Sequence, residues 1–589
     1  MDKNTLLAVV LSGAIMVGWY AMFPPPDPPP REIVNTVDQE YTDRTKNSVR
    51  QESTELNVQD STLSSTVPSS SIKDVDSSLP SKEVTIETEN YRLVIDTKGG
   101  IAKSLQLKHY KHTKPRLTLS TWFPFLTSFI GPDYLDEVTE DNRVEMFGNH
   151  LEGVPAFAQE FKGDAKTTEM FRNTVFSASE DQVVVEEGRL NTTLTLTSPI
   201  VNGLQMVKIF EANPDSYILN YRIQLINRSN DVRPLEVLYF FGEQRLSDNG
   251  GGMQQVSHEG PVFFFDESLQ TESTENIENE LPVTQMKWLG VEDQYFIGAA
   301  VPMTPVKNGF FRAGSYISEP QANQLGERKL SPYFGVALPK TNIQPNLFVE
   351  SDFRMFYGPK EDLELLKFGH NLEMSHDMTL EILAAPLLDL LRLIYGYVGN
   401  YGVAIIILTI IVRVVLFPLT FKGMKSMKRM QQLTPKMKKL QEKYKKNKEK
   451  LNKEMMELYR KNKVNPLGGC LPMLLQIPVF FALYSSLSSA VELRHAPFIF
   501  WISDLSQPDG LGITPLLMGA SMFIQQKMTP QTAMMDPTQA KIMQMLPFIF
   551  TIFTFTFPSG LTLYWVTSNI LSIAQQQIIN RIKTPELQN

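Results

Sequence analysis

Two kinds of periodicity divide this chain. From about residue 82 to 376, apolar and polar positions alternate at a period of two. In 217–225, YILNYRIQL, the side chains of Leu219, Tyr221, Ile223 and Leu225 fall on one face and those of Asn220, Arg222 and Gln224 on the other. That alternation marks a half-buried strand. Similar short runs recur at 83–88, 91–96, 183–187, 192–198, 204–210, 235–241, 286–291, 295–300 and 346–357. So many strands with few helical stretches predict a large antiparallel β-sandwich over 82–380, with one short helix over 362–368.

Elsewhere the apolar positions form unbroken runs. Residues 401–420, YGVAIIILTIIVRVVLFPLT, are apolar almost throughout. At about 1.5 Å per residue such a helix covers a ~30 Å hydrocarbon core. Comparable runs at 5–23, 467–489, 511–525, 542–557 and 561–579 raise the predicted number of spans to six. The fourth and fifth are short for a bilayer, a mismatch relieved by thinning or by water entry. The first run, 1–23, is too long for a signal-peptide core and lacks a clean A-x-A site before the prolines, so it reads as an uncleaved anchor. Residues 24–30 (PPPDPPP) form a stiff exit, and 31–81 are Ser-, Thr-, Asp- and Glu-rich, making 24–81 a disordered linker. In 386–398, PLLDLLRLIYGYV, apolar Leu387, Leu390, Leu391, Ile394 and Tyr395 oppose Asp389 and Arg392. That predicts an amphipathic helix in the outer interface, joined to the second span within 381–420; the alternative is one longer span.

Charge orients these elements. The net charge of −8 conceals a separation: 422–463 holds sixteen Lys/Arg against four Glu, leaving 40 basic and 60 acidic residues elsewhere. By the positive-inside rule 421–465 is cytoplasmic, which puts both termini inside and the β region outside, with 466–580 carrying spans three to six and 581–589 a cytoplasmic tail. Within the basic stretch Thr434-Pro435 reads as an N-cap and first-turn proline. Met437, Leu440 and Tyr444 then share a face, as do Leu451, Met455 and Leu458 after a turn at 447–450, which predicts a helical hairpin. Its basic surface either only fixes topology or docks an anionic surface such as lipid headgroups or ribosomal RNA. Mean hydropathy is only −0.16, so a large soluble part accompanies the spans. The single cysteine, Cys470, excludes an intrachain disulfide.

Catalytic signatures are absent from the sequence. The seven histidines (109, 112, 150, 258, 370, 376 and 495) are scattered, with no HExxH, no G-x-S-x-G and no P-loop, and the glycines at 250–252 lack a phosphate-loop context. No enzyme, cofactor, metal or DNA partner is implied.

The distinctive chemistry lies inside the apolar runs. Arg413 cannot shed its proton, and a lipid-exposed arginine costs roughly 3 kcal/mol on insertion scales and more in isolation. It either snorkels toward the Thr420 end or faces a water-filled groove open to the cytoplasm. Thr409 precedes it by one turn, Gln476 adds an amide in the third run, and Gly560, Tyr564, Thr567/Ser568, Ser572 and Gln575/Gln576 form a polar stripe down the sixth. Any one of these could serve only as an interhelical hydrogen bond. With no carboxylate in any run to pair with the arginine, a shared hydrated cavity is the cheaper arrangement. Phe548, Phe550, Phe553, Phe555 and Phe557, with Tyr564 and Trp565, offer an apolar edge toward lipid. A groove polar within and apolar at its edge suits a guest that is part polar tail and part transmembrane helix.

The segments VRVVLFPLT (412–420), NPLGGCLPMLLQIP (465–478), VELRHAPF (491–498) and FPSGLTLYWVTSNILSIAQQQ (557–577) closely resemble the YidC-type membrane protein insertases of Gram-negative bacteria. The resemblance implies a multi-pass inner-membrane insertase and chaperone, acting alone or with the Sec translocon. It implies a five-helix insertase bundle, an N-terminal anchor, and a periplasmic β-supersandwich of mutarotase-like shape that need not be a mutarotase. Its expected partners are nascent membrane proteins, the Sec translocon, lipids and, through 421–465, the ribosome. Carried over, the groove arginine falls on Arg413, its neighbouring hydroxyl on Thr409, the third-span amide on Gln476 and the Pro-Ser-Gly turn on 558–560. The substrate-facing aromatic pair falls on Tyr564 and Trp565, the latter a departure where a second tyrosine is frequent. Phe417 likewise stands where tyrosine is frequent. The alternatives are a transporter or anion channel using Arg413 as binding site, disfavoured by the lack of paired interrupted spans in two halves, and an anchored sugar-modifying enzyme, which leaves the polar stripe unexplained.

Overall fold

The computed structural model describes residues 80–111, 143–147, 154–186, 192–243, 258–272, 280–282, 286–317, 328–376, 378, 380–444, 447–462, 471–528 and 537–582. The predicted anchor over 1–23, nearly all of the linker over 24–81, His112, His150, the glycines at 250–252, the 463–470 junction and the 583–589 tail lie outside these residues.

The β region is built on a nine-stranded sheet and a five-stranded sheet packed face to face, with a second five-stranded sheet alongside. The strand Ile218–Asn227 pairs antiparallel with Leu204–Ala212 and Phe348–Pro359. Its predicted inner face is buried throughout: Leu219, Tyr221, Ile223 and Leu225 are at most 1% exposed. The register places Tyr221 opposite both Phe210 and Phe353, and the three rings stack across the strands at 4.8 and 6.2 Å. From the facing sheet Tyr239 and Phe241 close on Phe353 at 5.5 and 4.7 Å. Cross-strand aromatic pairs of this kind stabilise both the sheet and the inter-sheet core. Two lysines of the β region are buried, Lys208 and Lys360, and Lys360 is paired with Glu292 at 3.0 Å. Lys208 is fully buried, and its Nζ donates to the carbonyls of Gly99, Gly100 and Phe157 at 2.8–2.9 Å.

The sandwich departs from expectation in one respect: it is not wholly antiparallel. Glu83–Glu87 pairs parallel with Gln182–Val184, because the intervening chain crosses to another sheet before returning. Strands over Ile101–Lys111, Gly260–Phe265, Asn308–Ile317 and Arg328–Ala337 are not among the expected runs, although Ile101–Lys111 does alternate, with Leu105 and Leu107 buried between less buried neighbours. Gly260–Phe265, for example, is buried at five consecutive positions, so it shows no period of two.

Nine α-helices occur among the described residues. In the β region lie α1 (Ala165–Asn173) and α2 (Asp362–Phe368). Then follow α3 (Glu381–Val398), α4 (Tyr401–Lys443), α5 (Lys448–Lys461), α6 (Leu471–Ser489), α7 (Ile513–Met528), α8 (Pro537–Thr554) and α9 (Ser559–Arg581). α9 lies against α4 and α7, α8 against α7, and α3 against α4 and α6. By length and hydropathy one described segment, Tyr401–Phe421, qualifies to cross a bilayer, with mean hydropathy 2.7 and only 28% of its window buried; Gln544–Thr554 is apolar but shorter.

The predicted helix start at Thr434-Pro435 is corrected: α4 runs unbroken through Pro418 and Pro435. Each proline removes one donor. Packing keeps the helix intact, since Met430, Leu433 and Met437 of α4 bury against Met455 and Tyr459 of α5. The turn comes before the expected 447–450: α5 already begins at Lys448, with Asn447 capping it by accepting from Lys450 N–H at 3.0 Å.

Candidate functional site: a polar seam between α4, α6 and α9

Two hydrogen-bonded pairs organise the seam. The Arg413 guanidinium, from α4, donates through Nη2 to Ser568 Oγ of α9. One turn earlier on α9, Tyr564 OH accepts from Gln476 Nε2 of α6. A spacing of four residues puts Tyr564 and Ser568 on one helix face, so the two pairs join three helices into a single line. Tyr564 and Ser568 are 3% and 2% exposed. Among the described residues no carboxylate pairs with Arg413, and its Nε is buried without a hydrogen-bond partner. Arg413 also borders a crevice of about 290 Å³ between α4 and α9, walled by Ile410, Val414, Phe417, Leu571 and Ile578. Gln575 lines the same crevice, and its Oε1 is likewise buried and unpartnered. A guanidinium with a free donor can bond an anionic oxygen, and the free amide oxygen beside it can accept from an N–H or O–H.

The remaining expected residues fall elsewhere. Thr409 is 1% exposed and donates to Ile405 O of its own helix at 2.6 Å. Gly560 sits at the outer end of α9, where its N–H donates to Leu505 O at 2.9 Å and a Cβ would lie 3.2 Å from that oxygen. Beside it Ser559 N–H donates to Gln507 O at 2.7 Å, so the 558–560 turn is clamped by the preceding outer loop. Parts of the α9 stripe are interhelical bonds: Asn569 donates to Ser521 of α7 at 3.0 Å and Thr562 to Thr514 at 3.2 Å.

Trp565 lies on a neighbouring face of α9, with Phe480 of α6 at 4.9 Å and Phe550 of α8 at 5.5 Å. Tyr484 extends this cluster, stacked with Phe480 at 6.1 Å and 5.9 Å from Phe557. The expected aromatic edge thus acquires two α6 rings that sequence reading missed. Their i,i+4 spacing in an apolar run was the available signal.

At the outer end an ionic cluster ties the β region to these helices. Arg392 of α3 reaches Asp362 of α2 and Glu492, just after α6, each at 2.7 Å, and His376 Nδ1 also contacts Asp362. Burial alone would raise the Asp362 carboxyl, but His376 and Arg392 hold it down to about 2. Gln294 donates to Ser488 O at 2.7 Å, and Val491 packs into the β-region core.

Two family models cover most of the chain. "60Kd inner membrane protein" matches residues 393–586, and "YidC periplasmic domain" matches 132–390. The chain is similar to the membrane protein insertase YidC of Pelobacter propionicus, at 37% identity over 99% of both chains. It is 35% identical to that of Syntrophus aciditrophicus, over 99% of this chain and 100% of the relative. A solved structure described as an active YidC insertase with its first transmembrane domain resolved aligns over 84% of this chain and 92% of its own, at 17% identity and a TM-score of 0.35.

Proposed function

The chain belongs to the YidC family of membrane protein insertases, inner-membrane proteins with a periplasmic domain, and from that premise we propose that Arg413 receives the polar tail of a client during insertion. Insertion, not covalent catalysis, is the activity of this family. In this reading six helices cross the membrane, with the termini and the α4–α5 hairpin in the cytoplasm. The tail of a nascent membrane protein enters from the cytoplasm and is held transiently by Arg413 and Gln575. Its hydrophobic segment moves past Trp565, Phe480 and Phe550 into lipid, and the tail leaves outward. No nucleotide step is invoked. Partitioning of the apolar segment drives transfer, helped for acidic tails by the membrane potential at ~2.3 kcal/mol per charge per 100 mV. The α5 side of the hairpin, basic and exposed, would meet the ribosome or anionic lipid, and the Sec translocon would share larger clients.

One observation carries this reading: the Arg413 guanidinium is satisfied by a single hydroxyl, with a buried Nε left open. Most buried donors find a partner, so one left open beside a crevice marks a place where an incoming acceptor can bond. The test is Arg413→Glu in reconstituted vesicles, using matched clients with acidic and neutral tails. Insertion of the acidic-tailed client falls about 10-fold or more, equivalent to ~1.4 kcal/mol, and the neutral one is affected less. Equal insertion of both clients by the variant and the parent protein would overturn the electrostatic role.

A further inference from the structure

The loop between α6 and α7 holds Phe500 away from the protein and leaves Trp501 partly exposed beside it. Phe500 is 89% exposed, Trp501 36% and Ile499 48%. Nothing about this turn is loose. Phe498 N–H donates to Ile502 O at 3.0 Å, Ile502 N–H to Ile499 O at 3.3 Å, and Leu505 N–H to Ala496 O at 3.0 Å. The Trp501 indole N–H donates to Asp509 Oδ2 at 3.1 Å, and the same oxygen accepts from Thr514 N–H at 2.7 Å. The Phe500 and Trp501 rings lie nearly parallel, 17° apart at 6.1 Å.

Phe500 occupies the left-handed region, with φ of 55°. For a bulky aromatic residue that conformation is unfavourable and persists only where surrounding structure enforces it. Here the enforced conformation sets Phe500 only beside the neighbouring Trp501 ring and leaves it 89% exposed. The benefit must lie outside the protein.

The fold also sets the height of the turn. Asn400 caps α4 by accepting from Val403 N–H at 3.0 Å, while its Nδ2 donates to Pro497 O at 3.3 Å and Phe498 O at 3.1 Å. Phe498 packs so closely on α4 that a Cβ at Gly402 would come within 2.1 Å of its ring. The turn is therefore bonded to the outer end of the apolar segment Tyr401–Phe421. At the same level Tyr395 stacks on Tyr401 at 3.8 Å, and Tyr397 is 85% exposed. Amphipathic aromatic rings concentrate where acyl chains meet headgroups.

We propose that the 498–502 turn is a membrane-interface anchor, with Phe500 and Trp501 seated in the outer-leaflet phospholipid beside the end of α4. It fixes the height of the outer loop that clamps the 558–560 turn, and so the depth at which α9 begins.

The test uses the full-length chain in phosphatidylcholine/phosphatidylglycerol vesicles. A nitroxide is attached to the Phe500→Cys variant in a Cys470→Ser background, with Met303→Cys in the β region as an aqueous control. At 500, collisions with oxygen exceed those with a water-soluble nickel chelate, placing the label about 15 Å from the bilayer midplane, the edge of a ~30 Å core. The control shows the reverse. In a second variant, Phe500→Trp, the added emission is quenched by lipids brominated near the headgroup end of the chain more than by those brominated at its tip. A label at 500 that behaves like the control overturns the proposal. So does one shielded from both reagents, which signals a second protein copy covering the turn, and so does an added tryptophan that no brominated lipid quenches.

Discussion

The β region buries a cation and the helical bundle partly buries another, and they treat them differently. Lys208 is fully buried and gives its ammonium protons to three carbonyls, a set of acceptors only the charged form can fill. Burial pulls its pKa well below the ordinary lysine value, and the carbonyl cage opposes that pull. Arg413 meets one hydroxyl and keeps an open Nε at a crevice edge. A cation satisfied on every side is part of the core. One left partly unsatisfied at a crevice edge still has a donor to give, and the proposed role in receiving a client tail rests on that difference.

The largest effect that would sharpen this contrast is on stability. Lys208→Met strands three buried carbonyls and should destabilise the β region by about 3–5 kcal/mol, read by urea unfolding of the full-length chain through tryptophan fluorescence. Arg413→Met removes a desolvated charge with few bonds to lose and should stay within about 1 kcal/mol of the parent while insertion of acidic-tailed clients falls. If the two variants unfold alike, the distinction between the sites collapses.

A smaller effect concerns the outer joint between the regions. Asp362, held to about 2 against an ordinary value of 3.8, contributes stability fully present above pH 4. That contribution is lost as pH falls toward 2, because the unfolded carboxyl takes up its proton first. Protection from hydrogen exchange across 381–398, taken relative to the intrinsic rate at each pH, should therefore fall between pH 4 and 2.5, and Arg392→Ala should shrink that fall. An exchange rate in this segment that tracks only the intrinsic pH dependence would show that the ionic cluster does not hold the joint.

The smallest effect is expected at Thr409. Its hydroxyl returns to its own helix, so Thr409→Val should change stability by less than about 1 kcal/mol and leave insertion rates unaltered. A clear loss of insertion would put the hydroxyl back in the path of the client and blur the line between lining and packing residues.

Much of the fold was legible in local pattern. The 217–225 alternation marks a central strand, the 362–368 helix falls where expected, the hairpin turn falls just before the expected 447–450, and Tyr564 and Gln476 do meet. Strands such as Gly260–Phe265 were not legible because burial on both faces erases the period of two. The aromatic rings of α6 went unnoticed because an apolar run does not say which side faces a neighbour.

The sequence by itself determined the division into a strand-patterned region and apolar runs, the concentration of basic charge in 422–463, and the presence of an arginine among apolar residues with no nearby acid. Hydrophobic period and charge are local quantities, so they survive without a fold. The tertiary structure decided which polar groups meet. Arg413 finds Ser568 across 155 residues and Gln476 finds Tyr564 across 88, while Thr409, only four residues from the arginine, turns away. It also carried α4 through Pro435 and paired Glu83–Glu87 in parallel with Gln182–Val184. Each outcome rests on contacts between distant segments, whose packing outweighs the local preference written at either end.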